Sequence, residues 1–399
     1  MGDAHDMADT DASRVLAALP YHQEVAAFLR EREPQIWDWS RSPEVRAGHA
    51  AEMRDAMLRQ TYRMEPDSHP DVYAACRTAM AKLGVDAPVT LYQAADGQMN
   101  ASLCFIPGEV HLVFFGPILE KLNDEERLAL LGHELAHYTL WTADDGAHYA
   151  ASRIMDHCLS YPGAAPSHRE TARLLSLHTE FYADRGAAIV ADAAGPAVAV
   201  LVKTMTGMAN VDPAAYLRQA GELEGSVARS EGVSHPEIFL RARALDKWWA
   251  GEADADAWVE EKLRGKLSLQ ALDLIAQRDL TRLTRAFLAD FLRAIPASEA
   301  ATAQARRFFP DLGEREEPPL DASAIGPDRI DDATRDYLFA ITFDCAMADP
   351  DAREEILRAG AGKARAMEAG DQYAAALKRD LKWTKAAADR LVARQAKAA

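Results

Sequence analysis

Two histidines and a glutamate are spaced so that they could hold and use a metal ion. They stand in the stretch His133-Glu134-Leu-Ala-His137, which reads H-E-x-x-H. On an α-helix, residues four apart lie about 40° apart around the axis and about 6 Å apart along it, so both imidazoles can reach one ion. Glu134 points to a neighbouring sector, where it can take a proton from water as a general base. The spacing therefore predicts metal-assisted hydrolysis.

A helix that begins after Asn123 would position these residues. Asn123 and Glu126 can form a capping box at its first turn. Gly132 is unusual, because glycine inside a helix costs about 1 kcal/mol relative to alanine. A close approach of another backbone at Gly132 would explain it. A chance match on an amphipathic helix is the alternative reading of the motif, so a third ligand is needed.

The best candidate for the third ligand lies downstream, in Ser176-Leu-His-Thr-Glu180-Phe-Tyr-Ala-Asp184. We expect a second helix here, capped by Ser167 with Glu170. Glu180 would be the third ligand, and Asp184 on the same face would accept an N–H from a ligand histidine, preferably His133. A solvated helix face is the alternative for Glu180 and Asp184. His178 is a weaker ligand candidate, because it points to a different sector of the helix from Glu180.

Several motifs together resemble a known family of metallopeptidases. H-E-L-A-H is followed by E-F-Y-A-D, Asn100-Ala101 precedes the apolar run 110–115, and Ser234-His235-Pro236 is followed by Arg241. In this order they resemble the M48 metallopeptidases, the gluzincin group that contains the CaaX-processing protease and bacterial membrane quality-control proteases. The resemblance extends from about His69 to Leu245.

The resemblance implies a site and a reaction. One Zn²⁺ ion per chain would be held by His133, His137 and Glu180, with no other cofactor. The chain would then be an endopeptidase that hydrolyses peptide bonds of protein substrates by metal-activated water, with Glu134 as general base. Asp184 would stand behind the ligands.

Two further features are implied by the same resemblance. His235 is placed by sequence order to donate a hydrogen bond to the developing oxyanion. A His-Pro turn before a helix that starts near Pro236 is the open alternative, and three tyrosines are weaker candidates for the oxyanion role: Tyr138, Tyr161 and Tyr182. The strand at 110–115 is the candidate edge strand for an extended peptide, although an ordinary buried strand would have the same pattern.

Composition limits the partners and the compartment. The 399 residues carry 45 basic and 62 acidic side chains, a net charge of −17, which argues against nucleic acid and anionic membrane surfaces. Four scattered cysteines indicate a reducing compartment. The first residues lack an apolar signal core, and the longest apolar stretch, 186–202, is interrupted by Asp192 and Pro196, so it reads as the end of one helix and the start of another. We therefore expect a cytoplasmic protein without membrane insertion, although the best-known M48 members are membrane proteins; the oligomeric state stays open.

The patterns predict a mainly α fold with a small β-sheet (α+β), with a gluzincin-type core and extra helical regions at both ends. Strands are expected at 88–93 and 110–115, and an amphipathic helix at 44–64. The predicted boundaries are an N-terminal helical region at 1–68, a metallopeptidase domain at 69–250, a helical extension at 251–309, a linker at 310–332 and a C-terminal helical module at 333–399.

Two other functions remain open on the sequence. One is a catalytically silent peptidase fold that binds or scaffolds proteins, and the other is a metal hydrolase that acts on a non-peptide amide. Glu134 argues against the first, because a protein without turnover has no chemical need for that base. The second would need a closed pocket rather than an open groove.

Overall fold

A computed structural model describes residues 15–95, 97–223, 225, 229–314, 316–317 and 319–395. The first fourteen residues of the predicted region 1–68 and the last four of the predicted module 333–399 lie outside the described residues. The predicted fold class is confirmed, since the described chain is mainly helical and contains a four-stranded sheet. It divides into two compact units. The first comprises the described residues up to Ala164 and Thr171–Leu263, and the second comprises Ala165–Glu170 and the described residues from Arg264 onward.

The first unit holds the sheet and most of the helices. Its helices are α1 (Pro20–Arg32), α2 (Pro34–Ser40), α3 (Pro43–Gln60), α4 (Pro70–Leu83), α5 (Ile118–Lys121), α6 (Asp124–Ser160), α7 (Pro166–Ala191, whose first residues count with the second unit), α8 (Ala194–Thr206), α9 (Pro213–Leu223), α10 (Ile238–Trp249) and α11 (Ala255–Leu263). Its strands are β1 (Thr61–Met64), β2 (Val89–Ala94), β3 (Asn100–Ile106) and β4 (Glu109–Phe115).

The sheet has the strand order β1-β2-β4-β3, so β4 lies in the interior and β3 at an edge. β2 and β4 are parallel, whereas β3 and β4 form an antiparallel hairpin that turns at Gly108 with φ 83°. The prediction that 110–115 is the edge strand is therefore wrong. Residues 110–114 are all buried, which suits a strand covered on both faces, and the hairpin adds β3 outside it.

Two boundary predictions have different outcomes. The predicted helix 44–64 ends at Gln60, and Thr61–Met64 instead pairs with β2, with Met64 opposite Leu91. The two-helix interpretation of 186–202 is confirmed, because α7 ends at Ala191 and α8 begins at Ala194. No helix in the described part of the chain combines the length and the apolar character needed to cross a membrane.

Helix α6 begins as predicted and is interrupted near its middle. Asn123 and Glu126 form the capping box, with both hydrogen bonds at 2.9 Å. The backbone leaves helical geometry at Ala143–Gly146, where three successive residues have positive φ, and the helix then resumes to Ser160. The break allows Tyr149, in the second half, to pack at a ring distance of 6.0 Å from Trp141 in the first half.

Gly132 lies where α6 and α7 cross closely, as the sequence analysis suggested. A Cβ atom at this position would lie 2.7 Å from the carbonyl oxygen of Gly186 and 2.7 Å from Cβ of Val190. In turn, a Cβ atom at Gly186 would lie 2.4 Å from Cβ of Ala136. The absence of side chains at these two glycines lets the two helices approach each other at the candidate site.

We expect Gly132→Ala to destabilise the protein although alanine favours helices. The added methyl group meets backbone and a β-branched side chain, so overpacking by about 1–3 kcal/mol outweighs a propensity gain of about 1 kcal/mol. Gly221→Ala in α9 is the matched control, since nothing lies within 4 Å of its added Cβ. This control should stabilise by about 0.4–1 kcal/mol. Urea denaturation of both variants measures the difference, and a stabilised Gly132→Ala would contradict the close crossing.

The second unit is a helical bundle with its own core. Its helices are α12 (Leu274–Ala294), α13 (Glu299–Phe308), α14 (Asp332–Ala348), α15 (Arg353–Ala366), α16 (Gly370–Leu381) and α17 (Lys385–Gln395). Of the described residues within 310–332, Ile325 and Ile330 are buried in its core with Phe287 and Phe339. The segment expected to be a linker therefore packs against the helices that it joins. The expected extension 251–309 is divided, with α11 in the first unit and α12 and α13 in the second.

Candidate metal centre

Helices α6 and α7 bring the three candidate ligands together. His133 and His137 lie on one face of α6, and Glu180 lies on the facing side of α7. The Nε2 atom of His133 is 3.6 Å from Oε2 of Glu180, and the Nε2 atom of His137 is 3.9 Å from Oε1 of Glu180. One ligand atom from each residue lies within 4.8 Å of the other two.

These distances fit a divalent ion with tetrahedral coordination. Ligand atoms about 2.1 Å from a tetrahedral zinc ion lie about 3.4 Å from one another. The two measured separations exceed this value only slightly, so small side-chain rotations would complete the coordination. The buried Oε2 atom of Glu180 also has no hydrogen-bond partner among the described residues. Its close contact is an ion pair with Nη1 of Arg241 at 3.0 Å that lacks hydrogen-bond geometry, so a lone pair of this oxygen is available to a metal ion.

Asp184 and Arg241 stand behind the candidate ligands. Asp184 Oδ1 lies 3.2 Å from Nδ1 of His133, the ring nitrogen opposite the one that faces Glu180. Asp184 also accepts hydrogen bonds from Nε and Nη2 of Arg241, at 2.8 and 2.6 Å. Nη1 of Arg241 lies 3.0 Å from Oε2 of Glu180, as an ion pair without hydrogen-bond alignment. One guanidinium thus orients two carboxylates, a function that the sequence analysis did not assign to Arg241.

The charges of this cluster set its protonation. Burial raises the pKa of the Asp184 carboxyl, but the charge and hydrogen bonds of Arg241 together with the contact to His133 outweigh burial and lower that pKa to about 2. Burial likewise raises the pKa of Glu180, but Arg241 and the three neighbouring histidines together outweigh burial, so the pKa of Glu180 is lowered. The pKa of His137 falls to about 4, because the ring is buried and lies beside His133. His137 is therefore neutral at pH 7, the form that a metal ligand requires.

Glu134 is buried in the same cavity but outside the ligand triangle. The backbone N–H of Leu103 in β3 interacts with its carboxylate and favours the charged form. Burial raises its pKa to about 7, and the charge of His133 only partly offsets this effect. A carboxyl group with a pKa near 7 can take up and release a proton at neutral pH, which suits a general base.

His235 reaches the cluster from the loop before α10. Its Nε2 atom lies 3.7 Å from Oε1 of Glu180, and its side chain is 59 % exposed. Hydrogen bonds to the loop hold it there, since Ser176 donates to the carbonyl oxygen of Ser234 at 2.8 Å and the Ser234 hydroxyl lies 2.9 Å from Nδ1 of His235. Helix α10 begins at Ile238 with Glu237 at its N-cap, so a helix does start close after the His235-Pro236 turn, as the alternative interpretation expected.

The weaker candidates lie elsewhere. His178 is fully buried and bonded through both ring nitrogens, to the Leu174 carbonyl and to Glu260, at 2.7 and 2.8 Å. None of the three candidate tyrosines lines the cavity: Tyr138, Tyr161 and Tyr182. Helix α7 begins at Pro166, so Ser167 is inside the helix rather than at its N-cap.

The candidate ligands open onto a cavity of about 420 Å³. The edge strand β3 lines one side through residues 100–103, and apolar residues of α8 line another, including Val200 and Leu201. Trp141 of α6 also lines the cavity and stacks on His137. Neither β3 nor Trp141 was predicted from the sequence as part of the site. The position of Trp141 four residues after His137 was the available signal, because residues at that spacing are neighbours on a helix.

Comparison with known proteins gives one match. Residues 66–249 match the family model for peptidase family M48. No curated protein and no solved structure matches the chain significantly. The matched range contains the candidate ligands, Glu134, the edge strand and Arg241.

Proposed function

We propose that this chain, which belongs to peptidase family M48 through residues 66–249, is a zinc-dependent endopeptidase with its centre at His133, His137 and Glu180. The observation that carries the proposal is the convergence of three candidate ligands beside a buried carboxyl group, Glu134, whose pKa is about 7. Ligands, base and an edge strand meet at one cavity. This is the arrangement that hydrolysis of an extended peptide requires.

The residues have distinct roles in the proposed reaction. Zinc, when bound, supplies the Lewis acidity that polarises a carbonyl group and makes water acidic enough to be deprotonated near pH 7. Glu134 accepts the proton from the attacking water and passes it to the leaving amine. Asp184 accepts a hydrogen bond from Nδ1–H of His133 and so fixes the tautomer that leaves Nε2 free.

His235 is the proposed donor to the oxyanion. Its exposed imidazole faces the cavity beside Glu180, and the bonds of its loop to α7 restrict where the ring can lie. A donor held beside the developing negative charge stabilises the transition state more than the substrate.

The edge strand β3 is the proposed backbone site for the substrate. Val110 donates its backbone N–H to Pro88, away from β3, so Val110 and its partner Phe105 are not a hydrogen-bonded pair. Leu103 lies two residues from Phe105, so its N–H also points away from β4. Because N–H directions alternate along a strand, the N–H of Ala101 points to the same open side. An extended peptide can therefore add to β3 by main-chain hydrogen bonds, which give binding without strong sequence preference.

Ala101→Pro tests this mode of binding. Proline removes one outward N–H and leaves the hydrogen bonds to β4, and edge strands tolerate it. We expect kcat/KM for a peptide to fall about tenfold, the equivalent of one hydrogen bond, while the zinc content stays unchanged. Ala101→Gly keeps the N–H and is the matched control. Equal kcat/KM in both variants would exclude β3 as the backbone site.

The edge strand and the base favour a peptidase over the two alternatives that the sequence left open. A scaffold protein without turnover has no need for a buried Glu134, and a hydrolase of small amides has no need for an edge strand. A cytoplasmic location stays a prediction that rests on the cysteine usage.

The proposal is tested with the full chain. We expect about one zinc per chain by elemental analysis and cleavage of an unfolded protein such as casein. A chelator should abolish cleavage, and added zinc should restore it. Cleavage that persists in metal-free protein would refute the mechanism, and a chain that binds no zinc would refute the metal centre.

A further inference from the structure

The two candidate histidine ligands are supported in different ways. Nδ1 of His133 meets the carboxylate of Asp184. Nδ1 of His137 is buried and has no hydrogen-bond partner among the described residues. Instead, the His137 ring lies against the indole of Trp141, with the ring centroids 5.5 Å apart and the planes 29° from parallel.

We propose that Trp141 is the positioning residue of His137 and that its stacking replaces, for His137, the support that His133 gains by donating its Nδ1–H to Asp184. The inference rests on the proposed function, because it concerns the readiness of His137 to bind zinc. A ligating imidazole normally donates its second N–H to a carboxylate, a carbonyl group or water, which fixes the orientation of the ring. Without such a partner the ring can rotate about its Cβ–Cγ bond, and a flat neighbour restricts that rotation.

Trp141 is itself in contact with two further aromatic rings. Phe105 meets it edge to face at 5.4 Å, and Tyr149 lies at 6.0 Å. Tyr149 reaches this place because α6 is interrupted at Ala143–Gly146. Phe105 belongs to β3, so the same packing connects the proposed substrate strand with a candidate ligand.

The spacing along α6 makes the contact local and therefore robust. His137 and Trp141 are four residues apart, so their side chains lie one above the other on one face of the helix. Trp141 also lines the cavity, so it could contact the substrate directly. An experiment must therefore distinguish substrate contact from the positioning of His137.

Three variants of the full chain separate these roles. Trp141→Leu removes the flat ring, Trp141→Phe keeps one, and Trp258→Leu is the matched control, since Trp258 of α11 does not line the cavity. Zinc dissociation constants are measured by competition with a chromophoric chelator. We expect Trp141→Leu to bind zinc at least about tenfold more weakly, Trp141→Phe to stay within about threefold of the wild type, and Trp258→Leu to be unchanged.

Two further readouts distinguish positioning from other effects. The absorption spectrum of the cobalt-substituted protein should change in Trp141→Leu, because it reports ligand geometry. In the metal-free protein, imidazole NMR should show a single immobilised His137 ring in the wild type and an averaged, mobile ring in Trp141→Leu. Unchanged zinc affinity together with a raised KM in Trp141→Leu would overturn the proposal in favour of substrate contact.

The zinc-binding and NMR measurements also distinguish failure of this inference from failure of the proposed function. A wild-type chain that fails to bind zinc refutes the metal centre, whereas the metal-free NMR comparison still decides the positioning. A His137 ring that is equally mobile in both proteins overturns the inference. Equal loss of zinc affinity in Trp141→Leu and Trp258→Leu also overturns it, because the loss would then be a general effect of tryptophan removal.

Discussion

Glu134→Gln is expected to retain zinc and to lose nearly all hydrolysis. Glutamine has the shape of glutamate but cannot accept a proton, so kcat should fall by at least about 10³-fold, within the range of a positioned general base. The fold should be unaffected or slightly more stable, because burial penalises the charge of Glu134 and raises its pKa to about 7. Zinc content, thermal unfolding and peptide turnover measure the three effects separately.

The control for this variant is Glu120→Gln, an exposed position in α5. It should match the wild type in turnover and zinc content. Turnover of Glu134→Gln equal to that of the control would remove Glu134 from the mechanism. Loss of zinc in Glu134→Gln would mean that Glu134 is itself a ligand.

The four-residue spacing of side chains along two helices predicted most of the site. His133 and His137 share a face because any helix places residues four apart on one side, and the capping box at Asn123 marks where that helix begins. Glu180 and Asp184 follow the same rule on α7. The meeting of the two helices depends on Gly132 and Gly186, and of these the sequence analysis noticed only Gly132.

Long-range packing was not predictable from the same patterns. The apolar run of β4 has the same periodicity in an edge strand and in an interior strand, so only the hairpin with β3 reveals its place. The break of α6 at Ala143–Gly146 involves only one glycine and has no strong local signal. Trp141 acquires its place through that break and through Phe105, whose strand lies apart from it in the sequence.

Arg241 was noticed in the sequence only as part of a resemblance, and its contacts predict a large effect on stability. In metal-free protein we expect Arg241→Met to lower the free energy of unfolding by about 3–5 kcal/mol, because removing one partner leaves buried charges unpaired. Asp184 would lose two hydrogen bonds and Glu180 its ion-pair partner. Urea denaturation in the presence of a chelator measures the change.

The matched control is Arg243→Met, two residues further along α10, where the guanidinium meets the partly exposed Asp246. This change should cost no more than about 1 kcal/mol. Arg241→Lys should fall between the two, since lysine keeps the charge but cannot bind Asp184 with two parallel N–H groups. A loss of stability equal to that of the control would show that Arg241 does not stabilise the buried carboxylates of Asp184 and Glu180.

A double variant and the pH dependence identify the cause of the Arg241 effect. Arg241→Met combined with Asp184→Asn should lose less stability than the sum of the single changes, because the unpaired charge at position 184 is then absent. The pKa of Asp184 is lowered to about 2 in the folded protein, so its pairing stabilises the fold above the unfolded pKa of about 3.9 and ceases to do so as the pH falls toward 2. The difference between wild type and Arg241→Met should therefore shrink over the same interval, as protonation neutralises the carboxylate that Arg241 pairs. A difference that stays constant from pH 6 to pH 2 would assign the loss to packing of the arginine side chain rather than to its charge.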